Sequence, residues 1–309
     1  MISRKDNTMQ LADEIKKLKK EKDVVILAHY YTSPEIQEIA DYVGDSYYLS
    51  KLAVGLKQEK IIFCGVSFMG ESACILNSGK KVFMPDVTAD CAMAHMADIK
   101  TIERMRNTYE DLAVVCYINS TAELKQHSDV CVTSANAIKI VKALPNKNIF
   151  FIPDKNLAHY VASQVPEKHF IFNEGYCPIH ENMLAEELQS LKAIHTDAVI
   201  VAHPECNEKI RKMADFVGST SQIITYAQNS EAQKLIIGTE IGVLYELKKR
   251  CPSKSFYFPK KKPICEDMKK ITLEKVYQIL LEEENEIVVS EELRRCSKKP
   301  LEQMLVLAK

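Results

Sequence analysis

Short apolar runs, each opening into polar side chains and then a helix start, recur along this chain. Val24-Val-Ile-Leu-Ala-His29-Tyr30 reads as a buried strand, and Ser33-Pro34-Glu35 then supplies an N-cap, an N1 proline and an early acid for a helix. The same order returns at Ala113-Val-Val-Cys-Tyr117-Ile-Asn119, where Ser120-Thr-Ala-Glu123 reads as a capping box, and at Ala198-Val-Ile-Val-Ala-His203-Pro-Glu205 before Asn207. His29 and Tyr117 are 88 residues apart, and Tyr117 and His203 are 86 apart, so the spacing predicts three units of one design.

Second strands are predicted at Ile61-Ile-Phe-Cys-Gly65, Asp129-Val-Cys-Val-Thr-Ser134 and Asp215-Phe-Val-Gly-Ser-Thr220. Third strands are predicted at Lys81-Val-Phe-Met-Pro-Asp86, Ile149-Phe-Phe-Ile-Pro-Asp154 and Leu235-Ile-Ile-Gly-Thr-Glu240, and Gly44-Asp-Ser46 to Gly55 reads as an extra segment of the first unit. Strands that are apolar throughout and alternate with helical periods predict an α/β fold, here three similar three-layer α/β/α domains with short parallel sheets. The expected boundaries are 1–108, 109–193 and 194–265, with helices of 266–309, capped by Thr272 and Ser290, packing back on the first unit. In such sheets the polar groups at strand carboxyl ends line the ligand crevice.

With 46% hydrophobic and 27% charged residues and a formal net charge of -1, the 309-residue chain carries no field for nucleic acid or an anionic membrane. The basic run Lys260-Lys-Lys262 reads as a solvated loop beside Cys265. Met1-Ile-Ser-Arg-Lys-Asp6 leads into a charged amphipathic helix rather than a signal peptide, and no run approaches the roughly 18 apolar residues of a membrane span. The expected location is therefore cytoplasmic. Ten cysteines in that reducing compartment are thiols or metal ligands rather than a disulfide framework.

Cys64, Cys116 and Cys131 lie inside apolar strands and read as core; Cys74, Cys251 and Cys296 read as structural or exposed; Cys206 is ambiguous. Cys91, Cys177 and Cys265 differ, because each falls in a loop after a predicted third strand, one per unit. No Cys-x-x-Cys pair exists, which argues against zinc ribbons and ferredoxin-like carriers. The residues alone leave two readings open, a three-cysteine metal site or a chance triplet among ten. No Gly-x-Gly-x-x-Gly opens a helix, which disfavours a Rossmann dehydrogenase.

Taken in order, His29-Tyr-Tyr31, Gly44-Asp-Ser46, Gly65-Val-Ser-Phe-Met69-Gly-Glu71, Pro85-Asp86 leading to Cys91, Tyr117-Ile-Asn119-Ser120, Thr133-Ser134-Ala-Asn136, Gly175-Tyr-Cys177-Pro-Ile-His180, His203-Pro-Glu205-Cys206, Gly218-Ser-Thr220, Gly238-Thr-Glu240 and Cys265 to Lys269 resemble one family, the quinolinate synthases of NAD biosynthesis. The resemblance covers essentially the whole chain. It implies a pseudo-threefold arrangement of the three domains around a central cavity and one 4Fe-4S cluster on Cys91, Cys177 and Cys265. It further implies condensation of iminoaspartate with dihydroxyacetone phosphate to give quinolinate, phosphate and water, with the open iron as Lewis acid. The imine would come from an aspartate oxidase or dehydrogenase through a transient link. Two positions depart from the family pattern: Asp90 stands where glycine usually precedes the first cysteine, and Thr32 where glutamine often follows His-Tyr-Tyr.

Under that resemblance, Ser46, Ser134 and Thr220 open helices after strands, where backbone N–H groups favour phosphate or carboxylate. His29 and His203 end equivalent strands and are expected to bind substrate anions or move protons. Glu205 is the candidate general base, Tyr31 and Tyr117 are donors to developing oxyanions, and Asn119 is expected to hold substrate near the open iron. His180 orients substrate or tunes the Cys177 thiolate. Met69 reads as packing, and His95, His127, His159, His169 and His195 as structural. A dehydratase acting on a hydroxyacid and an iron-sulfur or redox sensor are the alternative readings.

Overall fold

The computed structural model describes residues 4–309, with side chains from Thr8 onward, so the expectation about Met1-Ile-Ser3 lies outside the described residues. The charged N-terminal helix runs over Arg4–Glu21.

Three sheets follow. The first contains β1 (Val24–His29), β2 (Tyr42–Gly44), β3 (Lys60–Cys64) and β4 (Lys81–Phe83), in the order β2-β1-β3-β4. The second contains β5 (Leu112–Tyr117), β6 (Val130–Val132), β7 (Asn148–Ile152) and β8 (His169–Phe172), in the order β6-β5-β7-β8. The third contains β9 (Val199–Ala202), β10 (Phe216–Val217), β11 (Lys234–Gly238) and β12 (Ser255–Tyr257), in the order β10-β9-β11-β12. Every pairing is parallel, so each connection crosses a sheet face and helices alternate with strands, as the α/β reading expects. Burial on both faces explains the unbroken apolar runs: all six residues of β1 are buried. In the third sheet the two faces separate by alternation, with Val201, Leu235 and Ile237 in one cluster and Ile200, Ala202 and Ile236 in another.

The strand order corrects the sequence assignment of the first unit. Ile61–Cys64 belongs to β3, which pairs with β1 as β7 pairs with β5 and β11 with β9; it is a third strand, not a second. The second position is filled by β2, whose three residues are too few to display a period. Phe83-Met-Pro-Asp86 and Phe151-Ile-Pro-Asp154 are nearly identical, yet the former follows an outer strand and the latter an inner one. Cys91, Cys177 and Cys265 consequently follow fourth strands, β4, β8 and β12.

Register then defines equivalent positions. Ala28 pairs with Val43 and Cys64, Cys116 with Cys131 and Ile152, and Ala202 with Val217 and Gly238. Counting onward, His29, Tyr117 and His203 are equivalent, as are Ser46, Ser134 and Thr220, and as are Val66, Asp154 and Glu240.

Two further details differ from expectation. Thr121, not Ser120, caps the helix Ala122–Gln126 by accepting from Leu124 N, while Ser120 Oγ turns back to the Tyr117 carbonyl. The helix Leu273–Glu282 lies against Arg4–Glu21 of the first unit, but the last helix, Glu291–Leu307, also packs on Ala122–Gln126, β6 and Ala137–Ala143. At about 1.5 Å per residue this helix is long enough to lie across both units, and its buried residues are Ser297, Pro300, Leu301 and Met304.

Candidate active site

The carboxyl ends of all three sheets open on one cavity. His29, Tyr31, Ser46, Met69, Cys91, Tyr117, Asn119, Ser134, Cys177, His180, His203, Glu205, Thr220 and Cys265, all singled out in the sequence, line it together. Asp45, Tyr47, Thr133 and Phe68 line it as well and were not singled out, because nothing in their local pattern separates them from ordinary helix starts and core.

Helix starts aim the hydroxyls. Asp45 Oδ1 accepts from Tyr48 N, and Ser219 forms a reciprocal capping box with Gln222. These neighbours do the capping, which frees the hydroxyls of Ser46 and Thr220 for the cavity. Ser134 Oγ lies 3.2 Å from His203 Nε2. Tyr31 Oη is 2.8 Å from both Thr220 Oγ1 and Thr239 Oγ1, which ties the first unit to the third. Thr32 sends its hydroxyl to the His29 carbonyl, and Gln37 bonds the carbonyls of Tyr30, Thr32 and Gly242 from the helix beyond.

Glu205 is the charged centre. Tyr117 Oη donates to Oε1 at 2.6 Å, and His180 Nδ1 lies 2.8 Å from Oε2. His180 Nε2 in turn meets Thr239 Oγ1 at 2.9 Å, and its ring stacks on His203 with centroids 4.8 Å apart. Burial pushes the Glu205 carboxyl up, but the imidazoles of His203 and His180 and the hydrogen bonds from His180 and Tyr117 outweigh it and hold the group ionised, well below the usual carboxylate range. Burial also lowers His203 to about 3, against the opposing pull of the Glu205 charge. His29 is likewise lowered to about 3, chiefly by burial. Burial first, then the Glu205 charge, pushes the Tyr31 and Tyr117 phenols well above their ordinary range, which leaves both as proton-bearing donors.

Three buried polar atoms on the cavity wall have no hydrogen-bond partner among the described residues: Asn119 Oδ1, Thr133 Oγ1 and Asp45 Oδ2. Such atoms are rare unless a ligand or water completes them.

The cysteines sort as their context suggested. Cys64, Cys116 and Cys131 are fully buried in strands, and Cys206 is buried with its thiol on the Gly238 carbonyl at 3.2 Å. Cys91, Cys177 and Cys265 are half-buried and face the cavity. Burial raises all three thiols, Cys265 to about 11, so without a cation they stay protonated. Among the described residues, the donors that approach within 4.8 Å of one another are Cys177, His180 and Glu205; the three sulfurs are not so close. A single ion draws its ligands tightly together, whereas a cluster several atoms across holds its thiolates further apart. Three soft sulfur donors around one cavity, with no disulfide, fit an iron-sulfur group.

Asp90 does not occupy the positive-φ region, so the departure at that position introduces no backbone strain.

The family model described as "Quinolinate synthetase A protein" matches residues 13–306. The chain belongs to this family. Among its relatives, the quinolinate synthase of Clostridioides difficile is 54% identical over 283 residues, 92% of this chain and 93% of that protein. That of Fusobacterium nucleatum is 52% identical, covering 96% of this chain and 99% of the relative, and that of Caldicellulosiruptor bescii is 48% identical, covering 97% and 99%. The group Cys177, His180 and Glu205 fits metal binding in this family member. Among the described residues no helix is long and apolar enough to cross a membrane.

Proposed function

We propose that this protein is a quinolinate synthase of NAD biosynthesis, condensing iminoaspartate with dihydroxyacetone phosphate to form quinolinate, phosphate and water. The observation that carries the reading is the convergence of the thirteen catalytic, binding and cysteine residues named from sequence, drawn from all three sheets, on one cavity. Family membership over residues 13–306 supports it.

Cys91, Cys177 and Cys265 would hold one 4Fe-4S cluster, and the iron left without a thiolate would supply a Lewis acid for a substrate oxygen or nitrogen. The remaining work falls to the chain. Ser46, Ser134 and Thr220 present hydroxyls at equivalent positions of the three sheets and receive the phosphate and carboxylates of the substrates. His29 and His203, neutral at physiological pH, donate or accept single hydrogen bonds there. Glu205, ionised and flanked by Tyr117, removes a proton on the way to the enamine and in ring dehydration. Tyr31 and Tyr117 donate to oxygen atoms that gain charge, and Asn119 meets substrate with its unpaired carbonyl oxygen. His180 keeps Glu205 and the Cys177 sulfur in register, at 2.8 and 3.2 Å.

The same reading divides the chain at 1–108, 109–193 and 194–265, with one sheet in each part. It places the protein in the cytoplasm and makes an aspartate oxidase or dehydrogenase the transient source of the imine; ten unpaired thiols suit a reducing compartment. Anaerobic purification and reconstitution with ferrous iron and sulfide test the proposal. The expected result is a brown protein that forms quinolinate from the two substrates. A colourless protein after reconstitution, or turnover without triose phosphate, would overturn it.

A further inference from the structure

Each of the three cavity cysteines gives its own peptide N–H to a carboxylate. Cys91 N donates to Asp90 Oδ1 at 2.7 Å, Cys177 N to Asp154 Oδ2 at 3.1 Å, and Cys265 N to Glu240 Oε1 at 3.1 Å. Asp154 and Glu240 are fully buried and occupy equivalent positions just past inner strands β7 and β11. They reach across 23 and 25 residues to cysteines that follow the outer strands.

In the first sheet the equivalent position is Val66, which offers no acceptor. There the residue immediately before the cysteine makes the bond instead. One contact reached by two routes points to a requirement for the contact itself rather than to simple inheritance of a repeat.

Each carboxylate also grips a second element. Asp154 Oδ1 caps the helix Lys155–Gln164 by accepting from Leu157 N at 2.6 Å. Glu240 Oε2 accepts from Gly242 N at 2.5 Å, and its Oε1 lies 3.0 Å from Lys269 Nζ. Asp90 accepts from Ser67 Oγ at 2.5 Å and meets His95 Nε2 at 2.7 Å. At Asp154 the cap needs one oxygen only, so the second is spare for Cys177.

We infer that Asp90, Asp154 and Glu240 form a collar of positioning residues that sets the three cysteines in place before any metal arrives. The inference rests on the reading of those cysteines as cluster ligands. The reason is geometric: three thiols on loops from three separate sheets meet at one centre only if each peptide plane, and hence each Cα–Cβ direction, is fixed. An acceptor oxygen does this whether its carboxyl is charged or neutral. A peptide N–H committed to oxygen is also withheld from sulfur, and N–H contacts to sulfur are one lever by which a protein tunes an iron-sulfur centre.

The test uses the full chain, first metal-free and then reconstituted anaerobically with ferrous iron and sulfide. In the metal-free parent, the Cys177 and Cys265 amides should exchange hydrogen slowly, as bonded amides do. Asp154→Ser keeps a helix-capping hydroxyl but lacks the second oxygen, so it should release the Cys177 amide to fast exchange while leaving the helix intact. Its iron affinity should fall about 10-fold or more, the usual effect of losing a group that orients a metal ligand. Asp154→Asn has one acceptor oxygen for two N–H donors, so it cannot serve Leu157 N and Cys177 N together and should also load iron less tightly than the parent. Glu240→Ala, which removes both acceptor oxygens, repeats the comparison independently at Cys265. If the parent loads iron but Asp154→Ser and Glu240→Ala match it in exchange and affinity, the collar is wrong and the cluster reading stands. If the parent itself takes up no iron, both fall.

Discussion

Tyr117 Oη donates to Glu205 Oε1 at 2.6 Å, joining residues 88 positions apart that stand just past or at the ends of the first strands of two different sheets. With the imidazoles of His203 and His180, the bond helps a buried carboxylate keep its charge.

Removing that donor should slow catalysis with the fold preserved. Tyr117→Phe leaves Glu205 with one fewer partner, and quinolinate formation should fall about 10- to 100-fold, while Glu205→Gln should fall about 100- to 10,000-fold, the range of a lost acid or base. Steady-state rates together with thermal melts check this, and a Tyr117→Phe protein as active as its parent would remove the phenol from the site chemistry.

Cysteine substitutions should separate by location. Cys91→Ala should lose iron and activity together. Cys64→Ala, which trims a thiol packed in β3, should keep both and lose only about 1 kcal/mol of stability. Iron per chain and denaturant midpoints, measured side by side, decide it.

Acid should weaken the loop that leads to Cys91. Burial pushes Asp86 up, but hydrogen bonds from Lys275 and Thr88 outweigh it, lowering its pKa from 3.8 to about 2. A carboxyl depressed in the folded state contributes stability that is complete above its unfolded pKa and disappears as pH falls from 3.8 through about 2. Asp86→Asn should therefore cost about 1 to 2 kcal/mol near neutral pH and flatten that acid limb. Unfolding free energy against pH for both proteins provides the comparison.

The last helix should matter for more than the unit it was expected to cover. Leu301 and Met304 are fully buried on this helix, which packs on elements of both the first and the second unit. Leu301→Ala should cost about 2 to 5 kcal/mol. Limited proteolysis of the variant should open both units; cleavage confined to the first would contradict a bridging role.

Much of this architecture was legible in the residues. The strand starts at Val24, Leu112 and Val199 announce themselves because burial on both faces demands unbroken apolar runs, and the constant spacing of His29, Tyr117 and His203 follows from one sheet plan used three times. Cys91, Cys177 and Cys265 stood out because a thiol beside Gly, Pro or Asp cannot be explained as strand core. Periodicity, however, is a local signal. It passed over β2, of three residues, and it equated Asp86 with Asp154 because their flanking residues match.

Only the folded chain decided which strand each motif joined, and therefore which carboxylate meets which cysteine. Asp154 and Glu240 are separated from Cys177 and Cys265 by a helix and an outer strand, and no pattern along the sequence reports where such an excursion returns. Side-chain periodicity is set by neighbours a few residues away, whereas hydrogen-bond partnership across 23 residues is set by sheet order and packing, which exist only once the three sheets have closed around their common cavity.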